Sequence, residues 1–136
     1  MRAERTFREK ATLAHVYCLE GKLRGATGFG RHWHDLIRLD EAGFAATAMA
    51  DRDLAKAVAD HKAKFFPAKD AHAAPVDYHG AVGGHLRLVP DGEAFYLLKA
   101  DYAVMIEAGY LEGAAELFEA LMARCGDLQE RINAAA

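Results

Sequence analysis

"AAELFEALMARCGDLQERIN", residues 114–133, decides the class of fold. Its apolar residues Ala114, Phe118, Leu121, Cys125, Leu128 and Ile132 recur at alternating steps of four and three. Such steps keep side chains on one face of a helix, whereas a strand would bury every second residue. The spacing therefore predicts a helix over 114–133 that buries a single stripe. The same pattern resembles a coiled-coil seam but covers under three heptads. Packing into the chain's own core is thus favoured over a dimer seam.

Working back towards the N-terminus, the helical pattern repeats. "PDGEAFYLLKADYAVMIEAGYL" opens a fourth helix after Pro90, with Asp91 as its expected cap and Phe95, Leu98, Tyr102, Met105 and Ile106 as its buried stripe. "DRDLAKAVADHKAKFF" starts a third helix at Asp51, whose carboxylate suits the positive end of a helix. Leu54, Val58, His61 or Lys62, and Phe65 mark its inner face, and Pro67 ends it. A second helix runs over Arg31–Glu41 and stops at Gly43, with Trp33, Leu36 and Ile37 turned inward. The first is expected to begin at "TFRE", a capping box of Thr6 and Glu9, and to continue to about Leu19. "GKLRGATGFG" (residues 21–30) holds four glycines and reads as a loop. Residues 67–89 read as a long irregular connection. "HLRLV" (His85–Val89) is the one strand candidate, and it is short.

The fold class expected is all-α: about five helices in one helical domain over residues 1–136, with the long loop between the third and fourth. At 52% hydrophobic and 27% charged, the composition is that of an ordinary folded domain. A net charge of −3 gives no electrostatic basis for direct nucleic-acid binding. The charged N-terminus "MRAERTFREK" lacks the apolar core of a secretory leader, and no apolar run is long enough to span a bilayer. Cys18 and Cys125 therefore read as reduced core residues of a cytoplasmic protein.

Several chemistries can be weighed from residue types. The chain contains no serine, which excludes a serine nucleophile. It also lacks a phosphate-binding P-loop, a dinucleotide fingerprint, an H-E-x-x-H motif and a C-x-x-C pair. "DRD" (Asp51–Asp53) has the D-x-D form of a metal-binding carboxylate pair, but its place at a helix mouth makes capping the better reading. Of the seven histidines, His32 and His34 point about 200 degrees apart on a helix and cannot share an ion. His32 and Asp35, like His15 and Cys18, are three apart and form half of a metal site at most. An antiparallel hairpin of the first two helices would bring "RTFREK" against "RHWHDL". Lys10 could then meet a phosphate, with Asp35 orienting a lysine or an arginine. A plain solvated charged face is the alternative.

"ERTFREKATLAH", "RHWHDLIRL", "ADRDLAKAVADHKAKFF", "GHLRLVPDG", "LKADYAVMIEAGY" and "RINA", taken in order, resemble the C-terminal helical half of the AbiEii/AbiGii toxin family of nucleotidyltransferase-like proteins. The resemblance covers nearly the whole chain. It implies a toxin–antitoxin setting, in which a nucleotidyltransferase core supplies a G-G or G-S turn and a D-x-D pair. The helical half would add a lysine and an R-D-x-x-D-like motif. Lys10 matches that lysine, and Arg31 and Asp35 match the arginine and second aspartate. His32 stands where many relatives carry the first aspartate. Lys10, Arg31, His32 and Asp35 are thus the candidate nucleotide-binding residues, and none is expected to be catalytic or to hold a metal. The residues before Lys10 hold no such core, so the chain is expected to be inactive alone. Mg²⁺ and a nucleoside triphosphate are expected only where a core is present. A nucleotidyltransferase core or an antitoxin protein is the implied partner. The alternative is a helical interaction or dimerisation module without catalytic activity, including a homodimer.

Overall fold

The structure, a computed structural model, describes residues 2–23, 28–109 and 117–136. It is mostly helical, and no strand occurs among the described residues. Seven α-helices are present there, α1 (Ala3–Glu20), α2 (Arg31–Glu41), α3 (Phe44–Ala50), α4 (Arg52–Phe65), α5 (Tyr78–Gly80), α6 (Gly92–Glu107) and α7 (Phe118–Ala134), with a π-helical turn, Ala81–His85, directly after α5. Five correspond to the expected helices and two, α3 and α5, are additional. The seven residues "FAATAMA" of α3 are too few to show periodicity, yet they are rich in strong helix formers. Gly43, at φ 89°, turns the chain between α2 and α3 in a conformation that favours glycine. Ala45 and Ala48 then pack into the core. The short α5 lies within residues 67–89, and Asp77 caps it through Gly80 N–H.

Helix boundaries depart from expectation in two places. α1 begins at Ala3 rather than Thr6, because Thr6 N–H and Oγ1 both bond back to the Arg2 carbonyl. Thr6 is therefore a first-turn residue instead of a cap. Asp91 does precede α6, but its side chain makes no capping bond and pairs with Arg87 at 3.5 Å. Asp51 does cap α4, accepting from Leu54 N–H at 3.0 Å.

Buried Phe118, Leu121, Cys125, Leu128 and Ile132 of α7 share one core with Phe7, Tyr17, Trp33, Leu36, Leu98 and Tyr102. The seam is thus consumed inside the chain. Ala114 lies outside the described residues, as do 24–27 of the glycine loop. The α6 stripe holds Leu98, Tyr102 and Met105, but Ile106 is exposed and Asp101 is buried in its stead. On α4 the inner face is Leu54, Ala55, Val58 and Ala59, while Phe65 is exposed.

Of the strand candidate, His85 ends the π-helical turn (Ala81–His85), and the residues from Leu86 on form an extended segment with no strand beside it. Side chains satisfy its backbone instead. Asn133 accepts from Leu86 N–H at 2.9 Å and donates to the Leu86 carbonyl at 3.0 Å. Gln129 accepts from Leu88 N–H at 2.7 Å, and His15 Nδ1 accepts from Arg87 N–H at 2.9 Å. Trp33 Nε1 donates to the Leu88 carbonyl at 2.7 Å. Leu86 and Leu88 are buried, so these partners are required rather than optional. The segment ties α1, α2 and α7 together, which fixes the rotation of α2 about its axis.

Candidate functional site

α1 and α2 form the antiparallel pair on which the site depends. Lys10 of α1 meets Asp35, whereas Tyr17, two turns later, packs tilted against Phe29 and edge-on against Trp33, before and within α2. Rising numbers on one helix face falling numbers on the other. Trp33, Leu36 and Ile37 are fully buried, and His32 and Asp35, both partly buried, flank that face at its edge, where Lys10 of α1 reaches them.

The Lys10 ammonium lies 3.0 Å from Asp35 Oδ2 and 3.2 Å from His32 Nδ1. An ammonium only donates, so His32 Nδ1 is an acceptor and the ring proton sits on Nε2. Burial, followed by the Lys10 ammonium, holds His32 below the ordinary imidazole range, against the pull of Asp35. Lys10 spends two of its three N–H groups on these partners and keeps one. The Lys10 and Asp35 side chains are 21% and 33% exposed, so a small anion can reach that third donor.

Three of the four sequence candidates are therefore brought together: Lys10, His32 and Asp35. Arg31 is not joined to them. It is exposed, and Asp35 pairs with Lys10 rather than with Arg31 four residues earlier. Among the described residues, no group of three or more His, Cys, Asp or Glu side chains is placed to hold a metal ion. His15 and Cys18 do not cooperate. His15 is a buried acceptor for Arg87 N–H with its pKa lowered by burial to about 4, and burial pushes the Cys18 thiol up to about 12. No described helix is long and apolar enough to cross a membrane.

Sequence reasoning missed the residue that positions the site. α2 begins after Gly30, which has no side chain to cap it. Asp101 of α6 does so from 71 residues away, accepting from Gly30 N–H at 2.6 Å. Its other oxygen accepts from Gly28 N–H at 2.8 Å. A carboxylate there suits both the unpaired N–H groups and the positive end of the helix. The close approach explains Gly30. A Cβ at that position would lie 3.2 Å from Asp101 Oδ2 and 3.4 Å from Tyr102 Cβ. The one sequence signal was an aspartate interrupting an apolar stripe.

Comparison of the chain with protein families, with curated proteins and with solved structures finds no match in any of the three.

Proposed function

We propose that this chain is the helical, phosphate-binding half of an AbiEii-type nucleotidyltransferase, inactive in transfer by itself. The observation that carries the reading is the Lys10–His32–Asp35 cluster, with one ammonium donor left over. The resemblance asks for a lysine beside an R-D-x-x-D-like motif, and that is the pair of segments α1 and α2 bring into contact. Lys10 would donate to a phosphate oxygen while Asp35 holds the ammonium in place. His32 would present Nε2–H as a second donor. Arg31, exposed on the preceding turn position, would supply long-range attraction rather than a fixed contact. Mg²⁺, its carboxylate ligands and the attacking group would come from a separate core, because two cations bind a triphosphate without activating a nucleophile.

The test uses inorganic tripolyphosphate, which carries the charge without a base. Its titration should move the His32 ring resonances of the wild type, and the Lys10→Met variant should lose at least tenfold in affinity, about 1.4 kcal/mol. Unchanged binding by Lys10→Met would refute the site. With labelled nucleoside triphosphates and Mg²⁺ the chain alone should transfer nothing. Robust metal-dependent transfer abolished by Asp51→Ala would refute the division of labour.

One observation favours the second reading, an interaction or dimerisation module. Tyr96, Leu97 and Val104 of α6 are 68%, 38% and 49% exposed. With Ala100 and Ala103 they form an outward apolar stripe spanning about 120 degrees of the helix. Sedimentation equilibrium tests it: association should be abolished by Val104→Glu, and a strict monomer removes the homodimer.

A further inference from the structure

A cavity of about 280 Å³ opens between α1, the end of α4 and Tyr78. It lies where two apolar clusters of the core do not meet. Tyr17 and Phe29 belong to the larger cluster, and Val16, Ala68 and Tyr78 to the smaller. It is half open to solvent and mostly apolar in lining, a surface that an occupant would cover.

The lining describes the occupant. Tyr17, Phe29, Phe66 and Tyr78 give it four aromatic rings. Both tyrosine hydroxyls are engaged elsewhere. Tyr17 donates to the Ala94 carbonyl at 2.6 Å and Tyr78 to the Phe66 carbonyl at 2.7 Å. What they offer the cavity is therefore ring surface. Phe66 is 56% exposed, an uncovered aromatic at the mouth. Lys62 lies 5.0 Å from the centre of that ring and also lines the cavity, as does Lys22. Glu20 is the lining carboxylate. Glu9, which also faces Lys62, is tied to Arg5 at 3.3 Å. The anionic end of a ligand is thus directed to the Lys62 side of the mouth.

Aromatic ring surface, a mostly apolar lining and a lysine at the rim fit a planar heteroaromatic ring carrying a charged group that stays outside. We propose that this cavity binds a nucleoside monophosphate, with the base between Phe66, Tyr78 and Phe29 and the phosphate on Lys62. The volume is near the lower end of small-molecule sites, which run from roughly 300 Å³ upward, and so suits one base rather than a larger cofactor. The site is separate from the Lys10 cluster and does not depend on it, although Phe29 stands edge-on to His32 at 5.3 Å and so borders both.

Trp33 is the chain's one tryptophan and lies 5.5 Å from both Tyr17 and Phe29. Its fluorescence therefore reports on the cavity wall. Titration with AMP should change it saturably. Adenosine should bind about tenfold more weakly, as should AMP to Lys62→Gln, for loss of one charge-assisted contact. Inorganic phosphate should leave the signal unmoved. Ala68→Phe, placed to fill the cavity, should abolish the AMP response while melting as a folded protein. Should that variant fail to fold, Lys62→Gln, half-exposed on α4, decides. No saturable response to millimolar AMP, or equal AMP affinity in Lys62→Gln, overturns the inference. Lys10→Met separates the two sites: it should weaken tripolyphosphate binding at least tenfold and leave AMP binding intact.

Discussion

Replacing Asp101 with asparagine should destabilise the whole protein and loosen the start of α2. Asp101 is 7% exposed, and its two oxygens accept from Gly28 and Gly30 N–H at 2.8 and 2.6 Å. A hydrogen bond to a charged group contributes about 1.5–3 kcal/mol, so the pair is worth roughly 3–6 kcal/mol before the burial of the carboxylate is set against it. Asparagine keeps one acceptor and turns an N–H₂ donor towards the other backbone N–H. One bond is lost and a donor meets a donor, for a net cost of about 2–3 kcal/mol. At about 3–4 °C per kcal/mol for a chain of this length, Tm should fall by roughly 10 °C. Alanine, which removes both acceptors, should cost about 3–5 kcal/mol. Urea unfolding followed by circular dichroism gives the free energies, and amide exchange at residues 28–33 gives the local effect. The Gly30→Ala variant adds a cycle, because its Cβ would press on Asp101 Oδ2 at 3.2 Å. Its cost should shrink once Asp101 is gone. If Asp101→Asn stays within about 0.5 kcal/mol of wild type, remote capping is not what holds α2.

Two further outcomes follow from the buried and half-buried histidines. His15 titrates near 4 in the fold against 6.5 for an open imidazole, so the unfolded chain binds more protons between those values. Stability should be full above about pH 6.5 and fall by about 3 kcal/mol as the pH drops towards 4, and His15→Gln should flatten that slope in urea titrations. His32 is held low by burial and then by the Lys10 ammonium. Lys10→Met should therefore raise its pKa and Asp35→Asn lower it, as read from the ring resonances, whereas equal pKa values in all three proteins would dissolve the cluster.

The sequence by itself determined the helical class. The four-three spacing of Phe118 to Ile132 admits no strand, and burial of that stripe needed only a core to receive it. Asp51 was legible as a cap because capping acts within three residues. Lys10, His32 and Asp35 were legible as candidates by type and by resemblance, and helix periodicity alone put His32 and Asp35 on one face. Tertiary structure decided the rest, for the reason that each deciding partner is distant in the chain. Asp35 pairs with Lys10 of α1 at 3.0 Å, a partner 25 residues away that helix spacing within α2 could not name. Asp101 caps α2 across 71 residues. The extended Leu86–Leu88 segment borrows its hydrogen bonds from His15, Gln129, Asn133 and Trp33, and the cavity exists because Tyr17 and Tyr78 belong to two clusters that stop short of each other. Local pattern gives most of the face a helix buries; the packed chain decides its edges, as at Ile106, Phe65 and Asp101, and what that face meets.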